Sequence, residues 1–135
     1  MNSITKQELK SIVGTQNFLD STEDKLVYSY DGTPIYRQLP EAVLFPENEE
    51  QISKILMLAN QDKFNVVPRG AGTGLSGGSI PVENSVVVVM TKWNKILEVD
   101  KNNLTAWVQP GVVTGILQKE VEKLVKTREI PHQVI

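Results

Sequence analysis

The sequence predicts a fold of mixed helices and strands: a small parallel strand-helix-strand unit, then an antiparallel hairpin and a closing helix. Three observations carry this. A short apolar run at 42–45 stops at Pro46, a helical apolar period follows it, and a second apolar run comes at 64–67. Four consecutive valines at 86–89 suit a strand buried on both faces. Two strand-like segments, 96–99 and 105–109, flank the turn-rich Asp100-Lys101-Asn102-Asn103.

Each element has its own local reason. Thr5 and Glu8 have capping-box spacing and precede Leu9, Ile12, Val13 and Gly14, which predicts a short amphipathic first helix. Residues 20–40 mix polar residues with Tyr28, Tyr30 and Tyr36 and with turn pairs such as Asp31-Gly32, so they are expected to be mostly irregular. Glu47, Glu49 and Glu50 place negative charge where a helix begins. Ile52, Ile55, Leu56 and Ala59 then share one helical face. Strand-helix-strand units of this kind are parallel, with a right-handed crossover. Pro110-Gly111 ends the hairpin, and Leu117, Val121, Leu124 and Val125 mark the apolar face of the last helix. Lys119, Glu120, Glu122 and Lys123 read as its solvated side, and Trp93 and Trp107 as core residues.

The bulk composition narrows the function classes. A chain of 135 residues suits one domain, and it can bury roughly 65–70% of its unfolded surface. A net charge of −2 offers no basic stripe, so no nucleic-acid partner is expected. There is no cysteine, which excludes a disulfide framework and fits a reducing compartment. No apolar run is long enough for a membrane span, and the expected location is the cytoplasm. His132 is the one histidine; it has no visible partner for base chemistry and reads as a bystander. No metal-ligand spacing is present.

The chemistry points to "PRGAGTGLSGGSIP" at 68–81, where five of fourteen residues are glycine. A P-loop would need a lysine that is absent here. Gly72-Thr73-Gly74-Leu75-Ser76-Gly77 matches GxGxxG, with Glu98 near the position of a ribose-binding acid. Such a motif must open a helix, yet only residues 78–85, with Pro81 among them, separate it from the valine strand. Two readings stay open from the residues alone. One is a main-chain anion nest, helped by the Thr73 and Ser76 hydroxyls and the Arg69 charge, at the C-terminal end of a parallel strand. The other is a long surface loop without a ligand.

PRGAGTGLSGG at 68–78 resembles the pyrophosphate-binding loop of the FAD-linked oxidases of the vanillyl-alcohol-oxidase/PCMH type. LPEAVLFPENEEQISKILMLANQ resembles that family's strand-Pro-helix opening, and VVVVMTKWNKILEVDKNNLTAWVQPGV resembles its stretch after the loop. The branch it resembles most is the glycolate oxidase D-subunit and D-lactate dehydrogenase group, and the resemblance runs from about Leu26 to Leu124. It implies an α+β fold, the N-terminal part of a PCMH-type FAD-binding domain. A small parallel β-α-β subdomain would be followed by the start of a mixed, largely antiparallel sheet near Ile96.

The resemblance also implies site residues. Arg69, Gly70, Ala71, Gly72, Thr73, Gly74, Leu75, Ser76, Gly77 and Gly78 would wrap the FAD pyrophosphate. Pro110, Gly111 and Val112 would pass near the cofactor, although they also read as a plain strand-to-helix turn. Some relatives of this fold attach FAD covalently through a histidine in the loop; Thr73 stands at that position, so FAD is expected to be noncovalent. The family's second FAD segment and its substrate domain have no counterpart in the sequence. The expectation is therefore a partial FAD-binding domain over 1–135, inactive alone and completed by a missing remainder or another subunit. The implied activity is flavin-dependent oxidation of a 2-hydroxy acid; the alternative is a non-enzymatic remnant or nucleotide-binding module without flavin.

Overall fold

The consecutive valines form the central strand of the larger sheet. A computed structural model of the chain describes residues 1–33 and 36–126. In chain order the elements are α1 (Ser3–Val13), β1 (Phe18–Leu19), α2 (Thr22–Val27), β2 (Ala42–Leu44), α3 (Glu49–Asp62), β3 (Asn65–Arg69), β4 (Ser85–Val89), β5 (Ile96–Asp100), β6 (Thr105–Val108) and α4 (Thr114–Lys126). The first four strands form a sheet in the order β1-β2-β4-β3, and β5 and β6 form a separate ribbon. β4 runs parallel to β2 and β3, with Val87 opposite both Val43 and Val67. The segment 42–69 is thus the expected parallel strand-helix-strand unit, and β4 is inserted between its two strands.

Every residue of β4 is buried, which accounts for the absence of polar alternation. Val86 and Val88 pack with Leu9, Val13, Leu44, Ile55, Leu58 and Phe64 beneath α1 and α3. Val87 and Val89 pack with Val43 on the opposite face, against Leu19, Tyr28 and Phe45. Burying one such side chain is worth about 1.5–3 kcal/mol, so this strand anchors the loop that precedes it.

Several expectations need correction. α1 starts before Thr5, because the Asn2 carboxamide caps it by accepting from the Thr5 N–H at 2.8 Å. The Thr5 side chain is buried instead, with its hydroxyl donating to Asp62. Residues 20–40 include α2, capped by Ser21, whose hydroxyl accepts from the Asp24 N–H at 3.1 Å. On α3 the buried positions are Ile55, Leu58 and Ala59, whereas Leu56 is 47% exposed. Glu47 is more than helix-start charge: it accepts from the Asn17 carboxamide at 3.1 Å and pairs with Lys92 at 3.3 Å. The Asn17 donor first, then Lys92, hold its pKa below the usual carboxylate range.

The hairpin forms as predicted, with Asp100 opposite Thr105 and a bulge between Ile96 and Glu98. The Asp100 carboxylate caps the turn by accepting from the Asn102 N–H at 2.8 Å and the Asn103 N–H at 3.1 Å. Trp107 is not a core residue: it is 71% exposed. It lies on a two-stranded ribbon separated from α4 by an apolar groove of about 360 Å³, lined by Val99, Leu104 and Ala106 on one side and by Val121 and Leu124 on the other. Among the described residues no helix is long and apolar enough to cross a membrane.

Candidate functional site

The glycine-rich loop leaves the C-terminal end of β3, the edge of a parallel sheet at which open α/β folds take ligands. Its start is fixed by the ladder. Arg69 lies opposite Val89, and the Met90 N–H donates to the Arg69 carbonyl at 2.9 Å. Residues 70–84 then reach β4 without helix or strand, so the GxGxxG pattern opens no helix and the dinucleotide-fold reading is excluded.

Within the loop, Gly72 and Gly77 take positive φ, 73° and 74°. The other three glycines do not, so what they provide is the lack of a side chain. A Cβ added at Gly70 or Gly78 would meet no protein atom within 4 Å. Both glycines line a cavity of about 330 Å³, together with Asp31, Ala71, Gly72, Thr73, Gly74, Ser76 and Ser79. Among the described residues, none of the amides of 70–79 donates a hydrogen bond to protein, and neither the Thr73 nor the Ser76 hydroxyl has a protein partner. A lined cavity with bare main chain and unused donors suits a compact multivalent acceptor such as a phosphate group. Its volume suits part of a dinucleotide rather than the whole of one.

Arg69 occupies a different place from the one its charge suggests. The side chain is 8% exposed and does not line the cavity. Its Nη1 donates to the Tyr30 carbonyl at 2.7 Å, and its guanidinium lies 5.5 Å from the Tyr28 ring centroid. A Cβ on Gly72 would lie 2.0 Å from Nη2, so the guanidinium packs directly against the loop's main chain. Its charge still acts on the cavity through the low-dielectric interior.

Sequence reasoning matched Asp31 to the family's pattern but assigned it no role. It is 7% exposed and lines the cavity. Its Oδ1 accepts from the Thr33 N–H at 2.7 Å and its Oδ2 from the Ser79 hydroxyl at 3.4 Å. The Thr33 N–H, together with the Ser79 hydroxyl and the Arg69 charge, holds its carboxyl below the usual range. A lowered folded value means that this contribution to stability is complete above the ordinary value of 3.8 and is lost as pH falls below it. The signals in the sequence were the turn pair Asp31-Gly32 and the likeness of Tyr28, Tyr30 and Asp31 to a family stretch, neither of which gives a role.

Pro110, Gly111 and Val112 lie at the same end of the sheet but do not line the loop cavity. The Gly111 N–H donates to the Trp93 carbonyl at 2.8 Å, and a Cβ there would fall 2.0 Å from the Met90 carbonyl oxygen. Met90 is in turn bonded to Arg69, so this turn is seated beside the start of the loop. Leu75 is 78% exposed and does not line the cavity. Among the described residues no cluster of histidine, cysteine or carboxylate side chains could hold a metal ion. His132 lies outside the described residues.

Comparison with known proteins gives this geometry a family. The model of the FAD binding domain matches residues 40–129, a span that contains the whole loop and the 110–112 turn. The glycolate oxidase subunit GlcD of Bacillus subtilis is 46% identical over 117 residues, 87% of this chain and 25% of that protein. The D-lactate dehydrogenase of Anaerostipes hadrus is 30% identical over 125 residues, 90% of this chain and 26% of that protein. The chain thus spans about a quarter of the length of these relatives. Among solved structures, p-cresol methylhydroxylase superposes with a TM-score of 0.80 at 22% identity, covering 90% of this chain and 24% of the other. Alkyldihydroxyacetonephosphate synthase superposes with a TM-score of 0.79, covering 92% and 25%. These two establish the fold, a PCMH-type α+β domain fragment. The chain belongs to the FAD binding domain family.

Proposed function

We propose that residues 70–79 bind the pyrophosphate of FAD, noncovalently, and that the chain is the cofactor-holding part of an oxidoreductase for 2-hydroxy acids of the glycolate or D-lactate type. The observation that carries the reading is the cavity whose wall is bare main chain with undonated amides. The names of the relatives, a glycolate oxidase subunit and a D-lactate dehydrogenase, support the substrate class. When bound, FAD supplies the hydride acceptor for oxidation of the hydroxy acid to the keto acid. This chain's residues do the holding. Gly70, Gly72, Gly74 and Gly78 line the cavity and let phosphate oxygens reach the main chain, Gly77 does not line it but turns the loop at positive φ, and Thr73 and Ser76 add hydroxyl donors. Pro110, Gly111 and Val112 would border the cofactor from the neighbouring strand end. The rest of the catalytic machinery would come from a further domain or a second subunit. The absence of cysteine goes with a reducing compartment, and on this reading the domain works in the cytoplasm.

Noncovalent attachment has a chemical basis. Residues 68–81 contain no histidine, cysteine or tyrosine, and the threonine hydroxyl is a poor nucleophile without an adjacent base. FAD-loaded protein precipitated with acid is therefore expected to release all flavin to the supernatant. Flavin absorbance that stays in the washed pellet would contradict this.

A further inference from the structure

The loop does not hold its shape alone. Residues 70–79 lie outside helix and strand, and ordering such a stretch costs backbone entropy at every residue. Whatever part of that cost is met during folding is not charged to ligand binding. The segment that meets it crosses the loop from the N-terminal side of the chain. It touches the loop at its stem through Arg69 Nη1 and the Tyr30 carbonyl, 2.7 Å. It touches the middle through the Gly32 N–H and the Gly74 carbonyl, 2.9 Å. It touches the end through the Ser79 hydroxyl and Asp31 Oδ2, 3.4 Å.

We propose that Asp31 is the positioning residue of the loop, closing the 30–33 turn so that this segment ties stem, middle and end into the ligand-receiving shape before any ligand arrives. Asp31 Oδ1 accepts the Thr33 N–H at 2.7 Å, which fixes the turn and aims the Gly32 N–H at Gly74. The fit is close: a Cβ on Gly32 would lie 2.8 Å from the Gly74 carbonyl oxygen and 3.3 Å from that of Thr73. Asp31 acts here as a hydrogen-bond acceptor rather than as a charge. A carboxylate beside a phosphate site is electrostatically unfavourable, and the nearby Arg69 guanidinium offsets it. Arg69 itself is engaged by the Tyr30 carbonyl and the Tyr28 ring, so the phosphates rely chiefly on main-chain and hydroxyl donors. The ligand part of this inference rests on the FAD reading; the tie itself does not.

Two substitutions in the 135-residue chain test it. Asp31→Ala removes both acceptors. Asp31→Asn keeps an acceptor for Thr33 and presents a donor that the Ser79 hydroxyl can accept. Amide exchange of Gly32 is measured without nucleotide, with exchange of 86–88 as the reference for the core. FAD and ADP affinities are then measured by titration. In Asp31→Ala, exchange at Gly32 should rise about tenfold over wild type, the order of effect of losing the hydrogen bond that closes the turn, with the core unchanged and both nucleotides bound more weakly by about the same factor. In Asp31→Asn, exchange and affinity should stay close to wild type. Wild-type exchange at Gly32 in Asp31→Ala would overturn the proposal. So would Asp31→Asn behaving like Asp31→Ala, or exchange of 86–88 rising in step with Gly32, which would make Asp31 a residue of global stability. A wild-type chain that shows the expected exchange pattern but takes up no FAD would sink the FAD reading and leave the tie standing.

Discussion

Gly72→Val is expected to abolish FAD binding, weakening it on the order of 100-fold or more, because two obstacles coincide at this position. Its φ of 73° lies in the region that a β-branched residue all but never adopts. Its Cβ would also sit 2.0 Å from Arg69 Nη2. A free arginine tip could swing aside, but this one is buried and bonded to the Tyr30 carbonyl. Accommodating valine would release the stem of the loop as well as distort its crest. Gly74 gives the contrast. It does not take positive φ, and a Cβ there would meet only Asp31 Oδ2, at 3.8 Å. Gly74→Val should therefore leave the loop's shape largely intact and weaken binding only by filling the cavity. Fluorescence titration with FAD separates the two variants; equal affinity of wild type and Gly72→Val would remove the loop from the site.

Gly111→Ala is expected to cost about 1–3 kcal/mol of stability, a large effect for one added methyl group. The added carbon would fall 2.0 Å from the Met90 carbonyl oxygen and 2.7 Å from that of Trp93. Both obstacles are main chain, so no rotamer change relieves them. The Met90 N–H is bonded to the Arg69 carbonyl, and the strain should spread to the start of the loop. Urea denaturation monitored by circular dichroism should show a lower midpoint with an unchanged slope. A midpoint equal to wild type would mean that the 110–112 turn does not rest on the end of β4.

The parts of this fold that follow from periodicity could be read in advance. Val86–Val89 announced a doubly buried strand because both faces are covered. The α3 region announced a helix because Ile52, Ile55 and Ala59 recur at helical spacing. The glycine loop was legible because so few side chains serve no packing purpose. What stayed hidden depends on contacts distant in sequence. Arg69 is turned into the protein by Tyr28 and Tyr30, some forty residues earlier, and no local pattern encodes that. Asp31 reads as an ordinary turn residue until Ser79 and Gly74 are brought to it. β1 has two residues and exists through its antiparallel pairing with Leu44 and Val43. Trp107 was expected in the core, but it stands on a two-stranded ribbon that is exposed along most of its length.

The central claim is that the main-chain amides of 70–79 receive the pyrophosphate. It is tested most directly by recording the backbone amide resonances of the chain during titration with FAD, and in parallel with ADP, which carries the pyrophosphate without the flavin. The account predicts that both ligands shift the amides of Gly70, Gly72, Gly74, Gly77 and Gly78 in a saturable way and leave those of 96–108 unmoved. Saturable shifts that spare the five glycines, or none with either ligand, would contradict it.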